Sequence, residues 1–146
     1  MQIHADLSQR AAVQSADLLW IASPLPGVDR RMLERDGGEV ARATSIVRYA
    51  PGSRFCAHTH GGGEEFLVLE GLFSDETGDY PPGSYVRNPV GSSHAPYSDG
   101  GCTIWVKLRQ MWPEDQTRVA IATRTTPFVP GLVAGLSVLP LHQFDT

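Results

Sequence analysis

Two histidines one residue apart stand directly before a run of glycines and two glutamates. The stretch is HTHGGGEE, from His58 to Glu65. Residues two apart on a β-strand face the same side, roughly 6.5 Å apart at the backbone, so the imidazoles of His58 and His60 can converge on one ion. Because glycine accepts positive φ, the Gly61–Gly63 run lets the chain reverse and return a glutamate beside them. Spacing alone does not decide between Glu64 and Glu65.

A third histidine, His94, lies in the Pro- and Gly-rich segment NPVGSSHAPY, which predicts a turn that enters another strand. Three neutral imidazoles and one carboxylate suit Zn, Fe, Mn, Ni or Cu, and suit Ca or Mg poorly. The pattern therefore predicts a transition-metal site. The alternative is a set of core and surface histidines that hold no ion. His4 and His142 lie outside the pattern, and we interpret them as structural or solvated.

The elements that must position these side chains are short β-strands. Apolar and β-branched runs such as ATSIVRYA, EEFLVLEGLF and CTIWVKLRQM are separated by turn residues in RDGGE, DETGDYPPG and SDGG. Only Ser8–Leu19 has the composition for a helical turn or two. We therefore predict an all-β, single-domain fold: a small antiparallel β-barrel or jelly roll with few or no helices.

Alternation along the strands predicts which residues face the interior. In CTIWVKLR, the apolar row that begins at Cys102 points inward, and the other row, which ends at Arg109, points outward. In SRFCAHTH, the same rule puts Cys56 on the inward face with the two histidines. In EEFLVLEG both rows are apolar, so alternation leaves the inward glutamate undecided.

Other residues are candidates for the surroundings of the metal. A thiol near the ion could report on redox state or act as a soft extra ligand; the alternative is a small buried hydrophobe. Aromatic side chains could line a pocket or belong to the core. On these grounds the candidate pocket residues are Cys56, Phe66, Tyr97 and Cys102. We interpret the acidic run from Asp75 to Asp79 as a solvated hairpin tip. No further residue declares a general acid or base, so the catalytic residues are unknown.

Composition excludes several classes of protein. The formal net charge is −4 and the 12 basic residues form no run, which argues against a nucleic-acid-binding surface. No apolar stretch approaches the roughly 20 residues of a membrane span, and the N-terminus lacks the apolar core of a signal peptide. Two cysteines are too few for a disulfide framework, so we expect a reducing, cytoplasmic setting.

Two longer patterns contain the histidines. The first, G-x5-HxH-x3-E-x6-G, runs from Gly52 to Gly71, and the second, G-x5-PxG-x2-H, runs from Gly83 to His94. Together they resemble the two motifs of the cupin superfamily, although Ser98 stands where the second motif usually ends in Asn. The resemblance implies one divalent transition metal, Zn or Fe with Mn or Ni as further options. It also implies the ligands, which are His58, His60, Glu64 and His94.

Residues 41–107 resemble, more specifically, the ChrR-like cupin family. That family includes the C-terminal domain of zinc-containing anti-sigma factors, and free-standing cupins of which some are iron dioxygenases. The resemblance implies a metal-binding sensor or small-molecule-binding domain, or alternatively an iron-dependent dioxygenase of a small diketone or aromatic ketone. A metal-assisted isomerase or hydrolase ranks third. Residues 1–40 lack the ligands of the helical zinc domain that precedes the cupin in anti-sigma proteins, so we expect no direct sigma-factor binding.

Three segments make up the predicted organisation. Residues 1–40 form N-terminal strands and an extension, residues 41–110 form the cupin core, and residues 111–146 form C-terminal strands. The tail, FVPGLVAGLSVLPLHQF, weakly echoes the head at an offset of 108 residues. The echo predicts the start of a truncated second cupin repeat; the alternative is an ordinary C-terminal strand. Because the tail is more apolar than one small barrel needs, we also predict a homodimer that covers it.

Overall fold

The computed structural model describes residues 1–145 of the chain. The regular elements of this part are antiparallel β-strands and one 3₁₀ turn. The prediction of an all-β fold is confirmed. The 3₁₀ turn, Ser15–Asp17, lies inside the segment predicted to form a helical turn. None of these residues forms a helix that is long and apolar enough to cross a membrane. In chain order the strands are β1 (Gln2–Ile3), β2 (Ile21–Ala22), β3 (Val28–Gly37), β4 (Ala41–Tyr49), β5 (Ser53–Arg54), β6 (His58–Thr59), β7 (Glu64–Gly71), β8 (Phe73–Asp75), β9 (Gly78–Tyr80), β10 (Ser84–Asn88), β11 (Ser93–His94), β12 (Tyr97–Ser98), β13 (Cys102–Leu108), β14 (Val119–Ala122), β15 (Val129–Pro130) and β16 (Ser137–Val138).

The main sheet has the strand order β1–β3–β4–β13–β7–β10–β14, and β2 also pairs with β3. A second sheet has the order β5–β12–β8–β9, and two small sheets pair β6 with β11 and β15 with β16. Strand β13 lies between β4 and β7, which precede it by tens of residues in the sequence. The main sheet is therefore held together by long-range pairing rather than by hairpins alone.

The core lies between the main sheet and the second sheet. Phe66 and Ile104 of the main sheet meet Phe73 and Tyr80 of the second sheet in one cluster of buried side chains. The rings of Phe66 and Phe73 have centroids 4.5 Å apart. Burial of each large apolar side chain contributes roughly 1.5–3 kcal/mol, so this cluster fixes how the two sheets lie against each other.

The inward faces of the central strands follow the pleat. In β13 the predicted inward row is confirmed, because Cys102, Ile104 and Val106 are buried whereas Trp105 is exposed. In β7, where alternation had left the choice open, Glu64 is buried in the same row as Phe66 and Val68. The first residue of β7 thus starts the inward-facing row, and Glu65 lies on the other face of the sheet.

The tail hairpin, β15–β16, repeats the geometry of the head hairpin, β2–β3, at an offset of 108 residues. Gly27 and Gly135 both have positive φ, at 76° and 84°. The corresponding register pairs are Ile21–Arg30 with Val129–Val138, and Ala22–Asp29 with Pro130–Ser137. The corresponding backbone hydrogen bonds are Ser23 N to Val28 O and Gly131 N to Leu136 O, each 2.8 Å. The sequence echo therefore has a counterpart in backbone geometry. That the tail begins a second cupin repeat stays a prediction.

The tail is tied to the barrel by a polar contact. Nε2 of His142 lies 2.7 Å from Oδ2 of Asp115, and the same oxygen forms an ion pair with Nη2 of Arg87 at 2.8 Å. Asp115 and Arg87 are both buried. His142, interpreted from the sequence as structural or solvated, therefore has a structural contact in an ion-paired network.

Candidate metal centre

Two neighbouring strands bring the first pair of histidines together. Strands β6 and β11 are antiparallel, and their register places His94 directly opposite His58. The hydroxyl groups of Thr59 and Ser93 lie 2.7 Å apart across the same pair of strands. Two residues on separate motifs are thus aligned by backbone pairing, which brings side chains on one face within reach of each other.

The glycine turn brings His60 and Glu64 to the same place. His60 N donates to Ser92 O at 2.8 Å and Gly91 N donates to His60 O at 2.9 Å, which fixes His60 against the second motif. The turn then closes with Gly63 N donating to His60 O at 3.2 Å. Gly63 has a φ of 75°, in the region that favours glycine. Strand β7 begins at the next residue, so the turn determines where Glu64 lies.

The three imidazoles converge. One ring nitrogen from each of His58, His60 and His94 lies within 4.8 Å of the others. Oε1 of Glu64 lies 3.6 Å from Nε2 of His60 and 3.6 Å from Nε2 of His94. Atoms bound to one tetrahedral zinc ion at about 2.1 Å are roughly 3.4 Å apart, and the two Glu64 contacts are close to this value. Among the described residues, the group whose ligand atoms all lie within 4.8 Å of one another consists of the three histidines.

His60 supplies a test of whether this donor set fits a metal. Its Nε2 atom is buried and has no hydrogen-bond partner among residues 1–145. A buried nitrogen without a partner is unfavourable, and a metal ion would satisfy it. Burial, together with the nearby imidazoles of His94 and His58, lowers the pKa of His60 to about 4. Burial also lowers the pKa of His58. Both rings are therefore neutral at physiological pH, which is the form that binds metals.

Outer contacts orient the other donors. Nδ1 of His94 lies 3.0 Å from Oδ2 of Asp75, and Nδ1 of His58 lies 3.3 Å from the carbonyl oxygen of Cys56. If each Nδ1 carries the proton and donates it, each Nε2 is left with a free lone pair. Nδ2 of Asn88 donates to Oε1 of Glu64 at 3.4 Å. Contacts with surrounding residues thus restrain the side chains of His58, Glu64 and His94.

Asp75 corrects a prediction from the sequence. The interpretation of residues 75–79 as a solvated tip is wrong for Asp75, which is 5% exposed. The second sheet carries it inward, and the amide of Thr77 donates to its Oδ1 at 2.8 Å. Burial lowers the tendency of His94 to take a proton, but the hydrogen bond to Asp75 and the charge of Glu64 outweigh this and raise the pKa of His94.

Opposing influences act on the pKa of Glu64, the predicted fourth donor. Burial raises the pKa of Glu64, and the positive charge of His94 and the hydrogen bond from Asn88 only partly offset this. By contrast, the neighbouring Glu65 carboxylate accepts a hydrogen bond from the Tyr85 hydroxyl at 2.6 Å on the outer face of the sheet. The structure therefore brings Glu64, and not Glu65, beside the histidines.

The four predicted pocket residues lie away from the cavity at this centre. Cys56 is exposed, so the prediction that it faces inward is wrong: residues 55–57 are not in a strand, and alternation does not hold there. Cys102 and Phe66 belong to the core. Tyr97 is half-buried, with the Arg54 guanidinium 4.8 Å from its ring centroid.

The cavity next to the histidines has different walls. Its volume is about 230 Å³, and besides His58, His60, Glu64 and the glycine turn its lining residues are Glu39, Val40, Ala41, Thr59, Leu108 and Arg109. No pattern in the sequence pointed to the residues around Val40. Arg109 is exposed, as alternation predicted, and it also lines this cavity; β13 ends at Leu108, and Arg109 takes a φ of 58°.

The fold and the cluster of histidines are those of a cupin. The family model of the ChrR Cupin-like domain matches residues 8–112, which is more than half of the sequence. The chain therefore belongs to the ChrR-like cupin family, and the resemblance drawn from its motifs is confirmed. No curated protein matches the sequence significantly.

Several solved structures share the fold. The structure of Rhodobacter sphaeroides SigE in complex with the anti-sigma ChrR aligns at 23% identity and a TM-score of 0.53, over 65% of this chain and 51% of that chain. This chain therefore spans about half the length of that relative. A putative acetylacetone dioxygenase from Methylibium petroleiphilum PM1 aligns at 16% identity and a TM-score of 0.61, over 80% and 92% of the two chains. The polyketide cyclase RemF from Streptomyces resistomycificus aligns at 20% and 0.56, over 70% and 81%. At these identities the likeness concerns the fold.

Proposed function

We propose that this protein is a metal-dependent cupin that holds one divalent transition metal and binds a small molecule beside it. The ligands are His58, His60, Glu64 and His94. The observation that carries this proposal is the convergence of three imidazoles within 4.8 Å, with a buried Nε2 of His60 that lacks any other partner in the described chain.

The surrounding residues have distinct tasks in this proposal. Asp75 holds the His94 ring in one orientation through the 3.0 Å contact to Nδ1, and Asn88 restrains Glu64. Burial of His60 keeps its ring neutral and available. His58 is exposed and marks the side from which solvent reaches the centre. When bound, a transition metal would supply Lewis acidity and, if it is iron, redox chemistry.

A sensing or binding role is favoured over thiol-based redox sensing. Cys56 is exposed, Cys102 is buried in the core, and neither thiol lines the metal cavity. Burial also raises the pKa of the Cys102 thiol, which disfavours its reactive thiolate. A signal would therefore act through a ligand of the cavity or through the metal itself.

An iron-dependent dioxygenase is the second candidate, and the open cavity favours it. Space of about 230 Å³ adjoins the donors, and three histidines with one carboxylate can leave coordination positions free for O₂ and a substrate. The similarity to the putative acetylacetone dioxygenase extends over 92% of that chain, which makes a small diketone the first substrate to test.

Metal analysis of matched variants tests the proposed centre. Purified wild-type protein should hold about one transition-metal ion per chain, whereas His94→Ala and Glu64→Gln should lose most of it because each removes one donor of four. Glu65→Gln is the control: it changes the adjacent carboxyl group on the outer face and should retain the ion. Loss of metal in Glu65→Gln with retention in Glu64→Gln would refute the ligand set.

Oxygen uptake then separates the two candidates. Iron-loaded protein should be mixed with pentane-2,4-dione or 2-hydroxyacetophenone in an oxygen electrode. Substrate-dependent uptake that disappears in His94→Ala would establish the dioxygenase. Tightly held zinc, together with absence of uptake after iron loading, would leave the binding or sensing role.

A further inference from the structure

Arg109 leaves its strand in an unusual backbone conformation. It follows β13 directly and has a φ of 58°, which non-glycine residues rarely adopt. Continued alternation would put it on the outer face with Trp105 and Lys107. Arg109 is exposed, and its amide donates to the carbonyl oxygen of Gly63 at 3.0 Å. Backbone strain of this kind commonly persists at functional sites, and here it turns Arg109 toward the glycine turn of the metal centre.

The side chain of Arg109 lies across that turn. A Cβ atom added at Gly62 would come within 2.7 Å of both Cα and Cβ of Arg109. A Cβ at Gly61 would lie 3.3 Å from Nη1 of Arg109. The guanidinium group therefore reaches the residue next to His60. Arg109 and the donors His58, His60 and Glu64 line the same cavity.

The charge of this guanidinium is not neutralised within the described chain. Five other arginines form ion pairs with carboxylates, namely Arg30, Arg42, Arg48, Arg54 and Arg87. For Arg109, residues 1–145 provide neither a carboxylate in ion-pair contact nor a hydrogen-bond acceptor for the guanidinium. Glu39, which also lines the cavity, is paired with Arg30 at 3.1 Å. Arg109 is thus the free cation of the cavity wall.

We infer that Arg109 selects a small oxyanion, a carboxylate or an enolate, as the ligand of the metal cavity. Guanidinium groups present a planar fork of donors that matches two oxygens of one anion. Three other lining residues, Val40, Ala41 and Leu108, are apolar and would contact the carbon skeleton. The volume of about 230 Å³ is below the roughly 300 Å³ at which pockets for drug-sized ligands begin, so the ligand is small. This inference rests on the proposed function, because the metal and Arg109 would hold the same molecule.

Calorimetric titration of malonate into wild-type protein and Arg109→Gly tests the inference. Glycine is suited to a positive φ, so this variant removes the charge and relieves the backbone at the same time. Malonate should bind Arg109→Gly at least tenfold more weakly than wild type, and Arg109→Lys should be intermediate. Malonamide, the neutral analogue, should bind all three equally. Arg10→Met removes a positive charge elsewhere and should match wild type.

Two sets of titrations separate the test of Arg109 from the test of the proposed metal centre. The titrations are done on zinc-loaded and on chelator-treated protein, and zinc content and melting temperature are measured for each variant. Failure of every variant and wild type to hold zinc would refute the proposed centre, whereas the malonate difference in the metal-free arm would still support Arg109. Equal malonate affinity for wild type and Arg109→Gly in both arms would overturn the inference. If Arg109→Gly is poorly folded, the same comparison of wild type with Arg109→Gln decides it.

Discussion

Nδ1 of His94 lies 3.0 Å from Oδ2 of Asp75, and both side chains are buried. The contact links the second histidine motif to the β8–β9 hairpin, which lies in a different sheet. A carboxylate behind a ligating histidine fixes the orientation and tautomer of the ring and increases its basicity. In the proposed metal centre, the hairpin therefore orients a ligand without supplying one.

Asp75→Asn should weaken zinc binding by about 10- to 100-fold, the usual effect of losing such a contact. Competition with a chromophoric chelator measures this affinity, and ¹⁵N NMR of metal-free protein reports the tautomer of His94. Wild type should show the proton on Nδ1, and the variant a mixture. The control is Asp79→Asn, an exposed residue of the same hairpin, which should change neither property. An unchanged tautomer in Asp75→Asn would contradict the assigned role.

The metal-free protein should lose stability as the pH falls from about 6.5 to about 4. The pKa of His60 is lowered to about 4, whereas an unfolded histidine titrates near 6.5. Within that window the unfolded chain takes up a proton that the folded chain refuses, so acid favours unfolding. His94, whose pKa is raised, acts in the opposite direction.

Urea denaturation of wild type and His60→Gln isolates this contribution. Between pH 7.5 and pH 5 the free energy of unfolding of wild type should fall by roughly 2 kcal/mol more than that of the variant. Imidazole NMR signals should show His94 protonating at a higher pH than His60. A midpoint for His60 at or above 6.5 would contradict the prediction.

Gly62→Ala should destabilise the turn that carries the donors. The new methyl group would lie 2.7 Å from Cα of Arg109, so either the turn or the start of the following loop must move. We expect a loss of about 1–3 kcal/mol, as for other overpacked sites, together with weaker zinc binding. Gly100→Ala is the matched control, since nothing lies within 4 Å of its added methyl group. Equal urea midpoints for the two variants would refute this account.

Asp115→Ala should be among the most destabilising single changes. It leaves the guanidinium of Arg87, 6% exposed, without its carboxylate partner at 2.8 Å. Breaking a buried ion pair in this way typically costs about 3–5 kcal/mol. His142→Ala removes only the more accessible partner and should chiefly free the tail, seen as faster proteolysis within residues 127–145. A smaller loss for Asp115→Ala than for His142→Ala, by thermal denaturation, would contradict this hierarchy.

The positions of the strands and the clustering of the three histidines could be predicted from the sequence because both depend on local rules. Alternation placed the row from Cys102 inward, and β13 is a regular strand in which that rule holds. The motif spacing brought out His58, His60 and His94, which cluster in the structure. The choice between the two glutamates required the register of the glycine turn, which the residue pattern of β7 does not contain.

What the sequence did not reveal depends on pairing between distant segments or on irregular backbone. Asp75 is polar, lies beside turn residues and still faces inward, because β8 pairs with β12 far along the chain. Cys56 lies in a stretch without strand geometry, so a rule for strands misplaces it. Arg109 departs from its strand through one left-handed residue. Asp75 was thus misplaced because distant segments pair, and Cys56 because its stretch of backbone is irregular.

The hairpins β2–β3 and β15–β16 show which properties a segment keeps in different surroundings. The same turn forms over the barrel, where Val28 is 6% exposed, and at the tail, where the corresponding Leu136 is 48% exposed. About ten residues therefore determine the path of the backbone, whereas the surrounding structure determines how hydrophobic each position must be. Transplanting residues 129–138 onto positions 21–30 should preserve the loop but force an extra methylene into a filled interior. The two segments could therefore replace each other in backbone conformation but not in side-chain packing.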